Sequence, residues 1–277
     1  KTDIESDAKG AAVGAAAAGA VYSETSKNST INAAVGGIIT AAAANISASD
    51  SGFIDSLGQS AAGGLGIGLS GAFVDASDDS TITALTASNT TFNLGSGTLN
   101  VTATSTPQTE AEADGVAVSG GLAIGASLAD ASINTTINAS LGASNTVNAG
   151  GLNLTAQQLR SGVTDSAKST AWAASGGLLL GASATTSDAD AIVHVNSRVG
   201  DNSTLNLGGG TATVSASVDS KQSAKASGIN VGFVAAGFND ATATSNNTIY
   251  ASLGSGVKVT AGTLNINSGG TDNNFAE

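Results

Sequence analysis

The sequence predicts an all-β repeat array, a parallel β-solenoid (β-helix) with about five repeats of about 55 residues. The first observation is a Gly-Ala or Gly-Phe pair inside a small-residue run, which recurs at steps of 52, 54, 56 and 56 residues. The second is a set of apolar/polar alternations with the period of two that a half-buried strand requires. The aligned glycines are Gly19, Gly71, Gly125, Gly181 and Gly237.

Composition is the third observation. Hydrophobic residues make up 41% of the 277 residues, yet aromatic residues are only 3%, methionine is absent and much of the apolar fraction is alanine. Small side chains bury little area each, so at about 25 cal/mol per Å² they stabilise a fold weakly. Dense backbone pairing must supply the rest, which favours stacked β-sheet. The 37 glycines occur with a single proline, Pro107, a ratio that indicates order rather than a flexible linker.

Charge and cysteine content exclude several classes of function. The formal net charge is −12 with nine Lys and Arg residues, so the sequence predicts no nucleic-acid binding, which needs clustered cations. The same shortage argues against a polybasic membrane patch, and no run is apolar enough for a transmembrane helix. Without cysteine the chain has no disulfide, thiolate nucleophile or Cys-based zinc site. Because it begins at Lys1 without a signal-peptide pattern, we expect a fragment or a processed segment.

Each repeat contains three recurring segments. The first is the Gly/Ala run, at residues 11–21, 61–74, 116–129, 171–184 and 229–238. The second has the form Ile/Val-x-Ala/Ser-x-Leu/Val-Gly, at residues 31–36, 137–142, 195–200 and 249–254, with an imperfect copy at 82–87. The third has the form Leu-x-Val/Leu/Ile-x-Ala, at residues 99–103, 152–156 and 264–268, with weaker copies at 44–48 and 212–216. Glycine-rich turns separate them, so each repeat is predicted as three strands.

Helix is the competing interpretation of the Gly/Ala runs. Glycine costs about 1 kcal/mol in a helix interior, and residues 63–68 carry four glycines, so we predict strand there. Residues 11–18 alone retain helix as an alternative. The small side chains are best explained if another layer covers these strands closely on both faces, with Leu122 and Ile124 and their equivalents as the apolar fillers. The period leaves two options open, one wide coil or two short coils per repeat.

Equivalent residues should resemble one another if the repeats stack in register about 4.8 Å apart. One predicted apolar column consists of Ile31, Ile82, Ile137, Val195 and Ile249. A partial polar column consists of Asn100, Asn153 and Asn265. We therefore predict one array over residues 1–277, with repeats at approximately 10–57, 58–112, 113–166, 167–223 and 224–277.

These segments carry a family resemblance. The sequences VAVSGGLAIGASLA (116–129), INASLG (137–142) and LNVTA (99–103) resemble the repeat region of large bacterial secreted adhesins, the leukotoxin-type and filamentous-haemagglutinin-like exoproteins. The resemblance covers about residues 10–270. It implies export by a two-partner or autotransporter route, an extended β-solenoid, and a role in adhesion or biofilm matrix at the bacterial cell surface.

Candidate site residues are few, and we predict no catalytic, cofactor-binding or metal site. His194 has no second His or Cys to form a metal pair. Two acidic clusters raise a weak possibility of calcium, but neither has the Asp-x-Asp-x-Asp-Gly pattern, so solvated turns are the better interpretation. These clusters are Asp75, Asp78 and Asp79, and Asp188 and Asp190.

Three further features concern surface contacts. Glu110, Glu112 and Asp114 alternate with alanine and should line one face of a strand. The repeat spacing aligns Lys168 with Glu112, so we predict that they stack as an ion pair worth about 0 to 1 kcal/mol. Trp172, the single tryptophan, is interpreted as a space-filler where a coil widens, with a carbohydrate or protein contact as the alternative.

The function predicted from the sequence is a non-enzymatic structural or adhesive repeat segment of a secreted or surface-anchored bacterial adhesin, acting as a rigid stalk or filament. The alternative is a self-assembling subunit of an extracellular filament or biofilm fibre. Its partners would be like strands of the same protein, with an unknown host-surface, glycan or matrix ligand, without nucleic acid and without membrane insertion. A polysaccharide lyase is disfavoured because its cations would have to be Arg160 and Arg198, which lie in different segments.

Overall fold

The computed structural model describes residues 2–162 and 164–277, which form β-strands and contain no helix. Every strand pair that it resolves is parallel, so the predicted all-β fold and parallel solenoid pairing are confirmed. The strands are β1 (Thr2–Lys27), β2 (Thr30–Val35), β3 (Ile38–Thr40), β4 (Ala44–Asp78), β5 (Thr81–Thr86), β6 (Thr91–Asn93), β7 (Thr98–Ser119), β8 (Leu122–Leu141), β9 (Thr146–Asn148), β10 (Gly151–Gln158), β11 (Ala167–Gly177), β12 (Leu180–Val199), β13 (Thr204–Asn206), β14 (Thr211–Val231), β15 (Val234–Leu253), β16 (Lys258–Thr260) and β17 (Thr263–Ala276).

Each repeat is one wide coil with three faces. In the coil that follows residue 97, β7 forms the first face, β8 returns along it as the second face, and the short β9 forms the third face. The next coil repeats this order, and its strands pair with the previous ones. The third face was not predicted from the sequence. The structure therefore selects one wide coil over two short coils.

The core between the first and second faces changes along its length. Next to the third face lies the wide region, where large side chains such as Ile82, Phe92, Leu99 and Ile137 are fully buried. Toward the tight turn between the first two faces lies the narrow region, filled by alanine, glycine and serine. Its buried alanines include Ala76, Ala111, Ala113, Ala129 and Ala171. The side chains thus set a taper, because small residues let the two faces approach.

Two inward-facing glycines show how closely the faces approach in the narrow region. A Cβ added to Gly115 would lie 2.8 Å from the carbonyl oxygen of Ala126 on the opposite face. One added to Gly125 would lie 2.9 Å from the carbonyl oxygen of Ala174. Real Cβ atoms do not tolerate such contacts, so the sequence needs glycine at these positions.

The Gly/Ala runs are covered on one face only, which corrects the prediction that both faces are covered. In residues 116–129 the alternate residues Ala117, Ala123 and Ala129 are buried, while Leu122 and Ile124 are 38% and 42% exposed. The run also bends at its centre, because β7 ends at Ser119 and β8 begins at Leu122. The predicted apolar fillers therefore point outward, and alanine fills the interior.

Inward-facing serines join the two faces across the narrow region. The Ser127 hydroxyl donates to the carbonyl oxygen of Trp172 at 2.7 Å, and the Ser169 hydroxyl donates to that of Ala129 at 2.8 Å. Each bond joins the first face to the second. A hydroxyl can cross this gap and satisfy its own hydrogen-bonding need without leaving a void. Serine is therefore a core residue here.

The predicted columns are confirmed, whereas the glycine alignment is wrong. Ile31, Ile82, Ile137, Val195 and Ile249 pair in register through successive coils. The asparagine column holds Asn45, Asn100 and Asn153, whose amides donate from coil to coil at 2.7 and 2.8 Å; the predicted Asn265 lies in the same column, but Thr213 separates it from Asn153. The in-register column that starts at Gly19 continues instead through Ser70, Gly125, Ser183 and Gly237. Serine and glycine substitute for each other there because both are small.

Residues 11–18, where helix was the alternative, lie within β1. No helix long and apolar enough to cross a membrane occurs in residues 2–162 or 164–277.

Candidate functional site

An apolar belt lies on the outer surface of the second face, beside the tight turn. Its side chains are 38–61% exposed and come from the second, third and fifth coils, with Leu180 and Ala182 of the fourth coil between them. We define the apolar belt as Ile67, Leu69, Phe73, Leu122, Ile124, Leu128, Val234 and Phe238. Contiguous exposed apolar surface of this kind is typical of an interaction site.

An acidic ladder borders the apolar belt. Glu24, Asp75, Asp130 and Asp188 are in-register neighbours on four successive coils, so their Cα atoms repeat at about 4.8 Å. Burial, together with the charges of Asp75, Asp190 and Asp188, raises the pKa of Asp130 to about 6. Burial is also the main cause of the raised pKa values of Asp75 and Asp188. Like charges held in a column disfavour one another's ionisation.

The members of the two acidic clusters predicted from the sequence do not stay together in the structure. Asp78 points into the core while Asp75 and Asp79 point outward, because neighbours along a strand alternate. Asp75 and Asp188, from separate clusters, meet in the acidic ladder with Asp130 between them. Sequence reasoning missed Asp130, which a correct register would have found. In residues 2–162 and 164–277 no group of three or more His, Cys, Asp or Glu side chains is arranged to hold a metal ion.

Charged side chains on the first face form a second cluster. Glu110, Glu112 and Asp114 occupy alternate outward positions of β7, as predicted. The predicted stacking of Lys168 on Glu112 is wrong: Lys168 pairs in register with Glu110 and forms an ion pair with it. The cause is the false glycine alignment: Gly125 pairs with Ser183 and not with Gly181. This two-residue error moved the predicted partner of Lys168 from Glu110 to Glu112.

Trp172 lies on the outer surface of the first face, so its prediction as a core space-filler is wrong. Its strand neighbours Ala171 and Ala173 are fully buried, which directs Trp172 outward. It continues a column that holds Lys9, Gln59 and Asp114. A shallow groove includes all four of these side chains, and the Gln59 amide donates to the Asp114 carboxylate at 3.2 Å. In such a groove the aromatic ring can stack on a polar ligand, and the amide and carboxylate groups can hydrogen-bond to it.

The remaining candidates lie apart from one another. His194 is exposed on the second face, between Thr136 and Thr248 of the adjacent coils. Arg160 donates to Asp219 at 2.8 Å, and Arg198 donates to Asp201 at 2.7 Å. The two arginines therefore serve separate ion pairs and form no joint site.

No protein-family model matches this chain, and neither a curated protein nor a solved structure matches it. The resemblance to adhesin repeats thus stays a prediction, and the argument for function depends on the geometry.

Proposed function

We propose that this chain is a non-enzymatic structural repeat segment of a secreted or surface-anchored bacterial adhesin, and that it acts as a rigid stalk. The observation that carries the proposal is the register, which is continuous from β1 to β15 on the second face. Each coil hydrogen-bonds to the next along its full width, so a load on one coil is shared by many parallel bonds. Such nearest-neighbour stacking suits a spacer.

Side-chain ladders support the same role. Besides the column that begins at Asn45, a second asparagine column on the third face joins Asn93, Asn148 and Asn206 by amide bonds of 2.9 and 2.8 Å. Stacked amides reinforce the backbone pairing and penalise any slip of register. The stalk is therefore stiffened on two of its faces.

The rigidity of the stalk can be tested by measuring the distance between two spin labels that are attached to different coils. Thr30 and Thr248 lie in one outward column, four coil steps apart, so cysteines placed there should hold paired spin labels at about 19 Å between backbones. The chain has no native cysteine, so labelling is specific. The control pair Thr30→Cys and His194→Cys spans three steps and should give about 14 Å. Broad distributions, or equal distances for the two pairs, would contradict a rigid stalk.

A second function, lateral self-assembly into a filament, is favoured by the apolar belt. A second copy placed on it would bury side chains such as Leu69 and Ile124 that are now 40% and 42% exposed. Sedimentation velocity at increasing protein concentration tests this function. We expect polymers from the unmodified chain and fewer from the pair Leu69→Ser and Ile124→Ser. Ile192→Ser, an equally exposed position outside the apolar belt, is the control. A monomer at all concentrations would exclude this function.

A further inference from the structure

A buried cluster of Lys27, Asp50, Asp78 and Ser80 lies in the core where the first two coils meet. The Lys27 side chain is 2% exposed, and the carboxylates of Asp50 and Asp78 are 6% and 0% exposed. Lys27 Nζ lies 2.5 Å from Asp50 Oδ2 and 3.0 Å from Asp78 Oδ2. The Ser80 hydroxyl donates to Asp78, and Lys27 Nζ donates to the Ser80 hydroxyl at 3.1 Å.

The cluster spans both faces. Lys27 and Asp78 are in-register neighbours on the second face of adjacent coils, whereas Asp50 belongs to the opposite, first face. Gly52 lies against the lysine stem: a Cβ there would meet Lys27 Cε at an ordinary contact distance of 3.4 Å but would lie only 2.7 Å from the carbonyl oxygen of Thr2. Of the nearest inward positions, Ala48 beside Asp50 and Ala76 beside Asp78 are buried and apolar, and Ile54 follows beyond Gly52.

The fold does not need charge at these positions. In later coils the column of Lys27 and Asp78 continues as Ile133 and Ala191, and the column of Asp50 continues as Ser105, Gln158 and Val218. Buried ion pairs rarely stabilise more than apolar residues of the same size would. The charged cluster is therefore specific to the first two coils, and uncharged side chains take its place in the later coils.

From this geometry we infer that Lys27 and Asp50 form an intramolecular amide (isopeptide) bond, with Asp78 as the proton shuttle. The inference is independent of the stalk function. The lysine nitrogen attacks Asp50 Cγ, a C–N bond forms, and a C–O bond breaks. The amine proton passes to Asp78, whose carboxylic proton goes to the departing hydroxyl, which leaves as water. No electron is exchanged and no co-reactant is needed.

Burial supplies the conditions for this step. Desolvation by burial raises the pKa of Asp78, against the opposing effects of Ser80 and Lys27, so this carboxyl takes up a proton, which it can donate to a leaving group, more readily than a solvated one does. With Asp78 protonated, Lys27 and Asp50 balance each other in charge, and proton transfer between them gives a neutral amine and acid. Water no longer solvates the charged forms, and the fold holds the reacting groups in contact.

Intact mass spectrometry of the purified chain tests the bond. The unmodified chain should weigh one water less than its sequence. Asp50→Asn should lose one ammonia in place of water, because the amine then displaces an amide nitrogen. Lys27→Arg, which keeps the positive charge but lacks a nucleophilic amine, should show its full sequence mass. Circular dichroism shows whether each variant keeps the β-fold.

Proteolysis locates the bond in the unmodified chain, so the test does not depend on whether a variant folds. Trypsin does not cut after an acylated lysine, so cleavage after Lys27 should be absent while cleavage after Lys9 persists. Fragmentation should then find Lys27 joined to Asp50. A full sequence mass, or normal cleavage after Lys27, would overturn the inference. Loss of water that persists in Lys27→Arg would assign the dehydration elsewhere and would also overturn it.

Discussion

The wide and narrow regions of the core solve the same packing problem in opposite ways. The wide region is filled by side chains such as Phe92 and Leu99, whereas the narrow region is filled by alanine and by serines that bond to the opposite backbone. Apolar area stabilises the former, while close backbone approach and hydrogen bonds stabilise the latter. A chain that is poor in aromatic residues can thus build one continuous core by confining its large side chains to one end.

The largest expected loss of stability comes from a cavity in the wide region. Phe92 lies on the third face, in β6, and is fully buried, so Phe92→Ala should lower the free energy of unfolding by about 3 to 5 kcal/mol. Chemical denaturation followed by circular dichroism measures the change. Phe233→Ala, at a position that is 91% exposed, is the control and should have little effect. Equal effects would mean that the third face does not enclose a packed core.

The opposite change, from a small to a large side chain, should destabilise the narrow region. Ala113 is fully buried where the faces approach, so Ala113→Leu should lower the free energy of unfolding by about 1 to 3 kcal/mol through overpacking. The matched control is Ala184→Leu, which adds the same atoms to an exposed, outward position. The same denaturation assay compares the two variants. If Ala113→Leu were as stable as its control, the faces could not lie as close as Gly115 and Gly125 indicate.

The smallest effect concerns the outer surface of the narrow region and depends on pH. The pKa of Asp130 is raised to about 6 from the ordinary value of 3.8, so the folded state holds its proton more tightly than the unfolded state does. This contribution to stability is fully present below pH 3.8 and is lost as pH rises through about 6. Thermal unfolding should therefore occur at a higher temperature near the lower end of this window than at neutral pH.

Asp130→Asn isolates the contribution of this residue to the pH dependence. The variant should be more stable than the unmodified chain at neutral pH, and its unfolding temperature should change less across the window. Part of the dependence should remain, because Asp75 and Asp188 also have raised pKa values. Asp219→Asn, on the opposite face, serves as the control. An unchanged pH profile in Asp130→Asn would show that the acidic ladder does not couple to folding.

Period-two alternation was enough to predict strands and the isoleucine column, because inward positions must be apolar in every coil. It could not fix the register. Glycine in one coil and serine in the next occupy the same inward column of the narrow region, so Gly71 and Gly181 gave a false alignment. The same two-residue error placed Lys168 beside Glu112 when its partner is Glu110.

The candidate sites depended on which face each residue occupies, and composition alone does not reveal this. Small residues suggested that both faces were covered, yet the outer partners of the buried alanines are exposed leucine and isoleucine. The acidic ladder was hidden because its members lie more than 50 residues apart in sequence. The Lys27 cluster was hidden because Asp50, 23 residues away in sequence, reaches Lys27 only across the core.

The taper also determines how the molecule bends. Strands of 20 residues such as β8, β12 and β15 make each coil about 65 Å broad, whereas two packed sheets are about 10 Å thick. Flexural stiffness grows with the cube of the depth along which a body is bent. The stacked coils therefore behave as a ribbon that yields toward its two broad surfaces and resists bending in its own plane. Because serine and alanine make one margin thinner, that margin is the more compliant one.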